Sequence, residues 1–600
     1  MNSKNTLFWF VLAVALFGCI FVYDHFLRPT AAPPPAILSG LQPSEVTSVQ
    51  MIPANALEIE AQQTNGEWRL TRPVDYPAQS AAVEALLSAL QKLTPVVRIS
   101  AGELREQRNA EMDYGFEPPR LSIAIEATDD RRWELKVGNK TAPGDQVFLR
   151  VVGMDGVFVA DADWLKYIPR SADDWRDTSL VDFHGRAPDW IVLTNGTRVI
   201  ELREDPTNHL WRMTRPLVAR ANSAGITEAL QGLQIAHAAQ FVTDNSQDLA
   251  QFGLQPAGLD LWLGSGTNFV TALHIGNSLT NDSSLVYAER QGWGTILAAA
   301  KEPFLPWFGP VNSFRDPYLL ELSAPVAKIE VRGGSDSGNF TLERKDTNNW
   351  RVAGEKFPVD AGSVQQFIKL LAGLRVSEFV KDVVTAPDLP AYGLAAPTRQ
   401  ITLFSAVDDT NAVIAQLLFG ATQTNEVFVR RADEDSVYAI PVEDFTQLPD
   451  AGWQLRERQI WNFSETNVAQ ITIHQNGKTR QMIHNGPNHW SLAPGSQGII
   501  NPPAIEETMH RFGELTALEW LGRNVTESEA PFGFKPGNLS ITIELTDGTK
   551  DTVDFGLSNA NTAVAAVMLD GERWAFVFPP VLYQFVSSYL TIPVPQSGIP

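Results

Sequence analysis

The chain has 600 residues, with 47 basic and 69 acidic side chains and a net charge of −22. Hydrophobic residues make up 44% of it and aromatics 10%, which excludes a disordered or fibrous polypeptide. The acidity argues against general nucleic-acid binding because phosphates are repelled, and the single cysteine, Cys19, excludes an intrachain disulfide and a Cys-rich zinc site.

In chain order, the first feature is an uninterrupted apolar run over residues 7–23, LFWFVLAVALFGCIFVY. Its length predicts a membrane-spanning helix, with residues 1–28 as an anchor. Lys4 and the free amine lie before the run, and Asp24 is balanced by Arg28 after it, which favours an N-inside orientation. Two other readings stay open. One is a cleaved signal peptide. The other is a lipoprotein signal ending at Cys19, since Leu16-Phe17-Gly18-Cys19 resembles a lipobox but departs from it at Phe17. The proline-rich segment that follows predicts an extended stalk over residues 29–45.

Beyond the stalk the chain repeats itself. EWRLTRP at residues 67–73 returns as LWRMTRP at 210–216, and more weakly as NWRVAGEKFP at 349–358 and HWSLAPG at 489–495. The tryptophans are Trp68, Trp211, Trp350 and Trp490. A second marker, an aromatic-Gly-apolar turn followed by proline, places Gly115, Gly253, Gly393 and Gly533 at spacings of 138 to 140 residues. A third marker is a strand ending in Gly138, Gly276, Gly420 and Gly556. A fourth closes the first three copies: an arginine followed by an acid, in Arg176-Asp177, Arg315-Asp316 and Arg456-Glu457. These markers predict four modules, at 46–183, 184–322, 323–464 and 465–600.

Each module opens with strand-like alternation. In the fourth copy an Asn-Gly pair joins two such runs as a hairpin. A helix follows, marked by the stripe Val83, Leu86, Leu87, Leu90 and Leu93 and by its counterparts in the other copies. Four more short strands and a short helix complete the unit. About six strands and two helices per copy predict an α+β class: an N-terminal transmembrane helix, then four modules of mostly antiparallel sheet with one main helix each.

This ordered set of markers resembles the bacterial domain-of-unknown-function family 4340, over essentially the whole chain after residue 45. The resemblance implies an envelope protein with a membrane anchor followed by tandem repeats. It places the chain in the bacterial inner membrane, single-pass through residues 7–23, with a periplasmic or extracellular ectodomain. It also implies a membrane-protein complex as partner, since relatives are often encoded beside gliding-type ABC transporter components. It implies no catalytic residues, because none are established for the family.

A search for chemistry agrees with a non-enzymatic reading. The sequence has no G-x-S-x-G elbow, H-E-x-x-H pair or P-loop, and no motif calls for a cofactor. The glycine-rich segment 333–338 has too few carboxylates for a calcium loop. His484 and His489 flank an Asn-Gly-Pro-Asn turn, and a metal site that they form with His474 is the sharp alternative to solvated loop histidines. The arginine–acid pairs recur in every complete copy, which points to a bridge between modules. The leading expectation is an interaction protein, an accessory subunit of an ABC-type envelope transport or motility complex. The alternatives are a glycan-binding array, which needs Trp262, Trp293 and Trp307 as surface platforms, and a hydrolase with a site between modules.

Overall fold

The structure is a computed structural model and describes residues 3–22, 34–183, 185–333, 338–409, 411–526, 532–535, 537–558, 563–589 and 591–592. The chain divides into two compact units, Met1–Arg315 and Asp316–Pro600.

In the first unit, alternation of apolar and polar residues builds two nine-stranded antiparallel sheets. The first sheet begins at its middle with Val46–Pro53. The chain meanders to one edge through Ile59–Thr64, Glu67–Arg72 and Tyr76–Pro77. The turn between the second and third strands is Asn65-Gly66, both at positive φ, as a two-residue hairpin requires. The helix Ser80–Gln91 then crosses one face, burying Val83, Leu86, Leu87 and Leu90, and delivers the chain to the opposite edge strand, Val97–Ile99. The chain returns to the middle at Leu121–Ala127, beside the first strand, and meanders out until Val157–Asp161 meets that edge. The second sheet repeats this path, with Ser223–Gln234 as the crossing helix and Ala238–Asp244 as the edge strand.

In the second unit the same order recurs in two eight-stranded antiparallel sheets. Their crossing helices are Ala361–Ala372 and Pro502–Gly513, and their edge strands are Glu378–Lys381 and Trp520–Arg523. The hairpin predicted at Asn476-Gly477 is present, with Gln475 facing Lys478 across it.

Three expectations are corrected. The α+β class led by a transmembrane helix gives way to a mostly antiparallel-sheet chain in which, among the described residues, no helix is long and apolar enough to cross a membrane. The N-terminal helix is Ser3–Val22, but its first turn is Ser-Lys-Asn-Thr. Its apolar part, residues 7–22, rises about 24 Å against a hydrocarbon core of roughly 30 Å. Single-pass anchoring in an inner membrane through residues 7–23 falls with it. Residues 23–33, which hold the end of the run and the start of the stalk, lie outside the described residues, as does the Cys19 side chain.

The second correction concerns the rest of the stalk. Ile37, Leu38 and Leu41 are only 1–2% exposed and belong to the first module's core, so that module begins before residue 46. The third is the strand count. Short edge strands such as Tyr76–Pro77 and Val97–Ile99 are too brief to show a period of two, and they raise the number per module from about six to eight or nine.

Candidate functional site

The repeated glycines form one contact four times. Gly115, Gly253, Gly393 and Gly533 all have φ between 68° and 79°, the left-handed region that a side chain resists. That turn presses the carbonyl of the preceding aromatic residue onto the strand glycine. A Cβ on Gly138, Gly276, Gly420 or Gly556 would lie 2.1–2.2 Å from the carbonyl oxygen of Tyr114, Phe252, Tyr392 or Phe532. The repeated tryptophans Trp68, Trp211, Trp350 and Trp490 are 2–5% exposed and belong to the cores. Neither set offers a surface.

The arginine–acid segment does join consecutive modules. In the first unit, residues 175–180 lie between the start of the first module's helix and the end of the second module's helix. The Asp177 amide donates to the Pro77 carbonyl (2.9 Å) and the Gln79 amide to that of Trp175 (2.7 Å). On the other side, the Leu180 amide donates to the Ala236 carbonyl (3.1 Å) and the Ala238 amide to that of Thr178 (2.6 Å). The second unit repeats all four bonds: Glu457 to Pro358, Asp360 to Leu455, Ile460 to Leu515 and Ala517 to Arg458.

This backbone aims each arginine into the seam. Arg176 is 2% exposed. Its guanidinium donates to Asp244 Oδ1 (2.6 Å), at the end of the second module's edge strand, and to Thr295 Oγ1 (2.9 Å). It also lies 4.4 Å from the ring centre of Tyr76 and 4.0 Å from that of Phe241. Tyr76 meets Phe241 and Trp293 at 5.6 Å, and burial pushes its hydroxyl pKa up. A buried guanidinium needs both kinds of partner: a carboxylate to offset desolvation and ring faces to fill its flat sides.

Asp177 does not pair with its neighbour. It accepts from the Ser179 amide (3.0 Å) and from Arg290 (3.1 Å), fixing the link turn and tying it to the second module. Asp316 makes the same turn with the Tyr318 amide (2.9 Å). Arg315 is 2% exposed and donates to Asn312 (3.4 Å).

In the second unit Arg456 donates to Asp570 Oδ2 (2.8 Å) and lies 4.6 Å over Trp574. Arg523 adds a second link, donating to Glu355 across the seam (2.7 Å) and to Glu572 (2.7 and 2.9 Å). These bonds raise the Arg523 pKa and lower that of Glu572. Tyr76, Asp244, Phe357 and Trp574 are missed by sequence reasoning. The aromatic-Pro pair before the helix, Tyr76-Pro77 and Phe357-Pro358, is the one local signal that marks them.

The histidines do not converge. His474 meets the Thr479 hydroxyl (2.8 Å), His484 stacks on Trp490 at 4.4 Å, and His489 is exposed. Among the described residues no group of three His, Cys, Asp or Glu could hold a metal ion. Residues 334–337 of the glycine-rich segment lie outside the described residues. Trp307 is fully buried, while Trp293 packs in the first seam and Trp262 packs against Phe269, both half-buried.

This chain belongs to the domain-of-unknown-function family DUF4340: the family's model matches residues 68–208, 211–397 and 350–537, in overlapping segments that follow the repeats. No curated protein matches the chain.

Proposed function

We propose that this chain is a non-catalytic interaction protein that serves as an accessory subunit of an ABC-type transport or motility complex. The observation that supports this reading most is the buried arginine seam. In each unit it fixes two modules to one another, which suits a protein whose task is to hold a surface in place for a partner. A binding protein gains affinity from such preorganisation because little freedom is lost on association.

The test is crosslinking of the full-length protein in the cells that make it, followed by recovery and identification of what it holds. Permease or ATPase subunits of an ABC-type complex are expected with the wild-type chain, and in reduced yield with Arg176→Ala. Recovery without any such subunit overturns the proposal.

A further inference from the structure

The fourth module carries a pocket of about 340 Å³ that runs against the charge of the chain. Its walls include His474, Lys478, Lys535 and Arg573, with Thr479, Asn538 and Ser540 as neutral polar groups. Among the described residues one carboxylate lines the wall, Asp554, and it is committed to Arg573 at 2.8 Å. Neither lysine has a carboxylate within 4.0 Å among the described residues. Among the described wall residues, three cations and one spent carboxylate make a local positive site in a chain of net charge −22.

We propose that this pocket binds a phosphate-type oxyanion. The volume lies in the range of small-ligand sites rather than of a protein interface. The donor set suits tetrahedral oxygens: two mobile ammonium groups, a guanidinium, and hydroxyl and amide groups. Arg573 is held in place by Asp554 and by Phe534, a buried ring whose centre lies 4.9 Å from its guanidinium. The two loops that frame the pocket are latched together by the Asn476 amide, which donates to the Gly537 carbonyl (3.1 Å), and the second loop closes on itself where the Asn538 amide donates to the Lys535 carbonyl (3.1 Å). His474 Nδ1 and the Thr479 hydroxyl lie within hydrogen-bond distance of one another (2.8 Å), which holds the imidazole at the pocket wall.

The repeat supplies the internal control. Lys535 stands two residues after the left-handed glycine of its module. The same position holds Glu117, Gln255 and Ala395 in the other three. A cation stands at this position in the fourth copy alone. The site is independent of the partner reading above, and either can fail alone.

The test uses the full-length chain and a Lys478→Gln/Lys535→Gln double variant. Both side chains are exposed, so the fold is retained, and a matching thermal transition verifies it. Inorganic phosphate is titrated calorimetrically at constant ionic strength against a chloride control. In parallel the protein is sedimented with vesicles containing phosphatidic acid. Saturable phosphate binding at one site, weakened about tenfold or more in the variant, supports a free phosphate ligand. No heat with phosphate, but vesicle binding lost in the variant, supports the same site reading a phosphate headgroup. Absence of both, or equal binding by the variant, overturns the proposal.

Discussion

At the seam of the first unit Arg176 lies between Tyr76 and Phe241 and meets Asp244, the last residue of an edge strand. At the seam of the second unit Arg456 lies over Trp574 and meets Asp570, which follows the strand Ala563–Leu569 in a hairpin turn. The backbone bonds that carry the two arginines are the same, but the counter-charge comes from a different element. The surroundings differ as well. The two modules of the first unit keep separate hydrophobic cores, whereas one continuous core runs from Leu319 to Val586 through both modules of the second. The difference teaches that the link geometry is the constant, and that the means of closing the seam is free to vary. Where apolar surface does not join the modules, the charged and aromatic cage must.

The largest effect is therefore expected at the first seam. Arg176→Ala leaves Asp244 beside Thr295 without its cation and opens space between Tyr76 and Phe241, at a cost of about 3–4 kcal/mol. Denaturant unfolding followed by tryptophan fluorescence checks it, and a loss below about 1 kcal/mol would break the comparison. The glycine contacts sharpen it from the other side, because they are equally tight in both units. Gly138→Ala and Gly556→Ala each drive a methyl to 2.1 Å from a carbonyl oxygen, and each should cost about 2–3 kcal/mol. An unequal pair would show that the two units differ in more than their seams. Arg456→Ala comes next, at about 1–2 kcal/mol, because Asp570 is 59% exposed and rehydrates when its partner is removed.

The sequence shows clearly what is local and repeated. The buried tryptophans, the left-handed glycines and the helical stripes each sit in a fixed frame of a few residues, so their spacing reports them. The seam is harder to read, because Arg176 finds Asp244 and Thr295 at 68 and 119 residues' distance. Nothing near Arg176 in sequence distinguishes a partner in the next module from the acid beside it, Asp177, which turns out to cap its own turn. The basic pocket escapes for the same reason: Lys478, Lys535 and Arg573 are adjacent only once the hairpin and the loop after Gly533 are folded. The N-terminal region misleads by composition. Prolines suggest a stalk where Ile37, Leu38 and Leu41 plug a core, and an apolar run suggests a span where the helix gives its first turn to polar residues.

The smallest expected effect concerns acid. The Glu572 carboxyl is held below its ordinary pKa chiefly by the hydrogen bond from Arg523, and Arg523 also reaches Glu355 across the second seam. A carboxylate with a depressed folded pKa contributes stability above its unfolded value, roughly 4.3, and loses that contribution as pH falls through the folded one. Arg523→Gln should therefore be less stable than the wild type at pH 7, and the gap should narrow as pH falls below about 4. With about a quarter of each side chain exposed, the gap at pH 7 should be about 1 kcal/mol. Thermal unfolding of both proteins between pH 3 and 7 measures it. A gap that does not narrow between pH 7 and pH 3 would assign the role of Arg523 to packing against Trp574 and Phe357 rather than to charge, and would make the second seam the more apolar of the two in every respect.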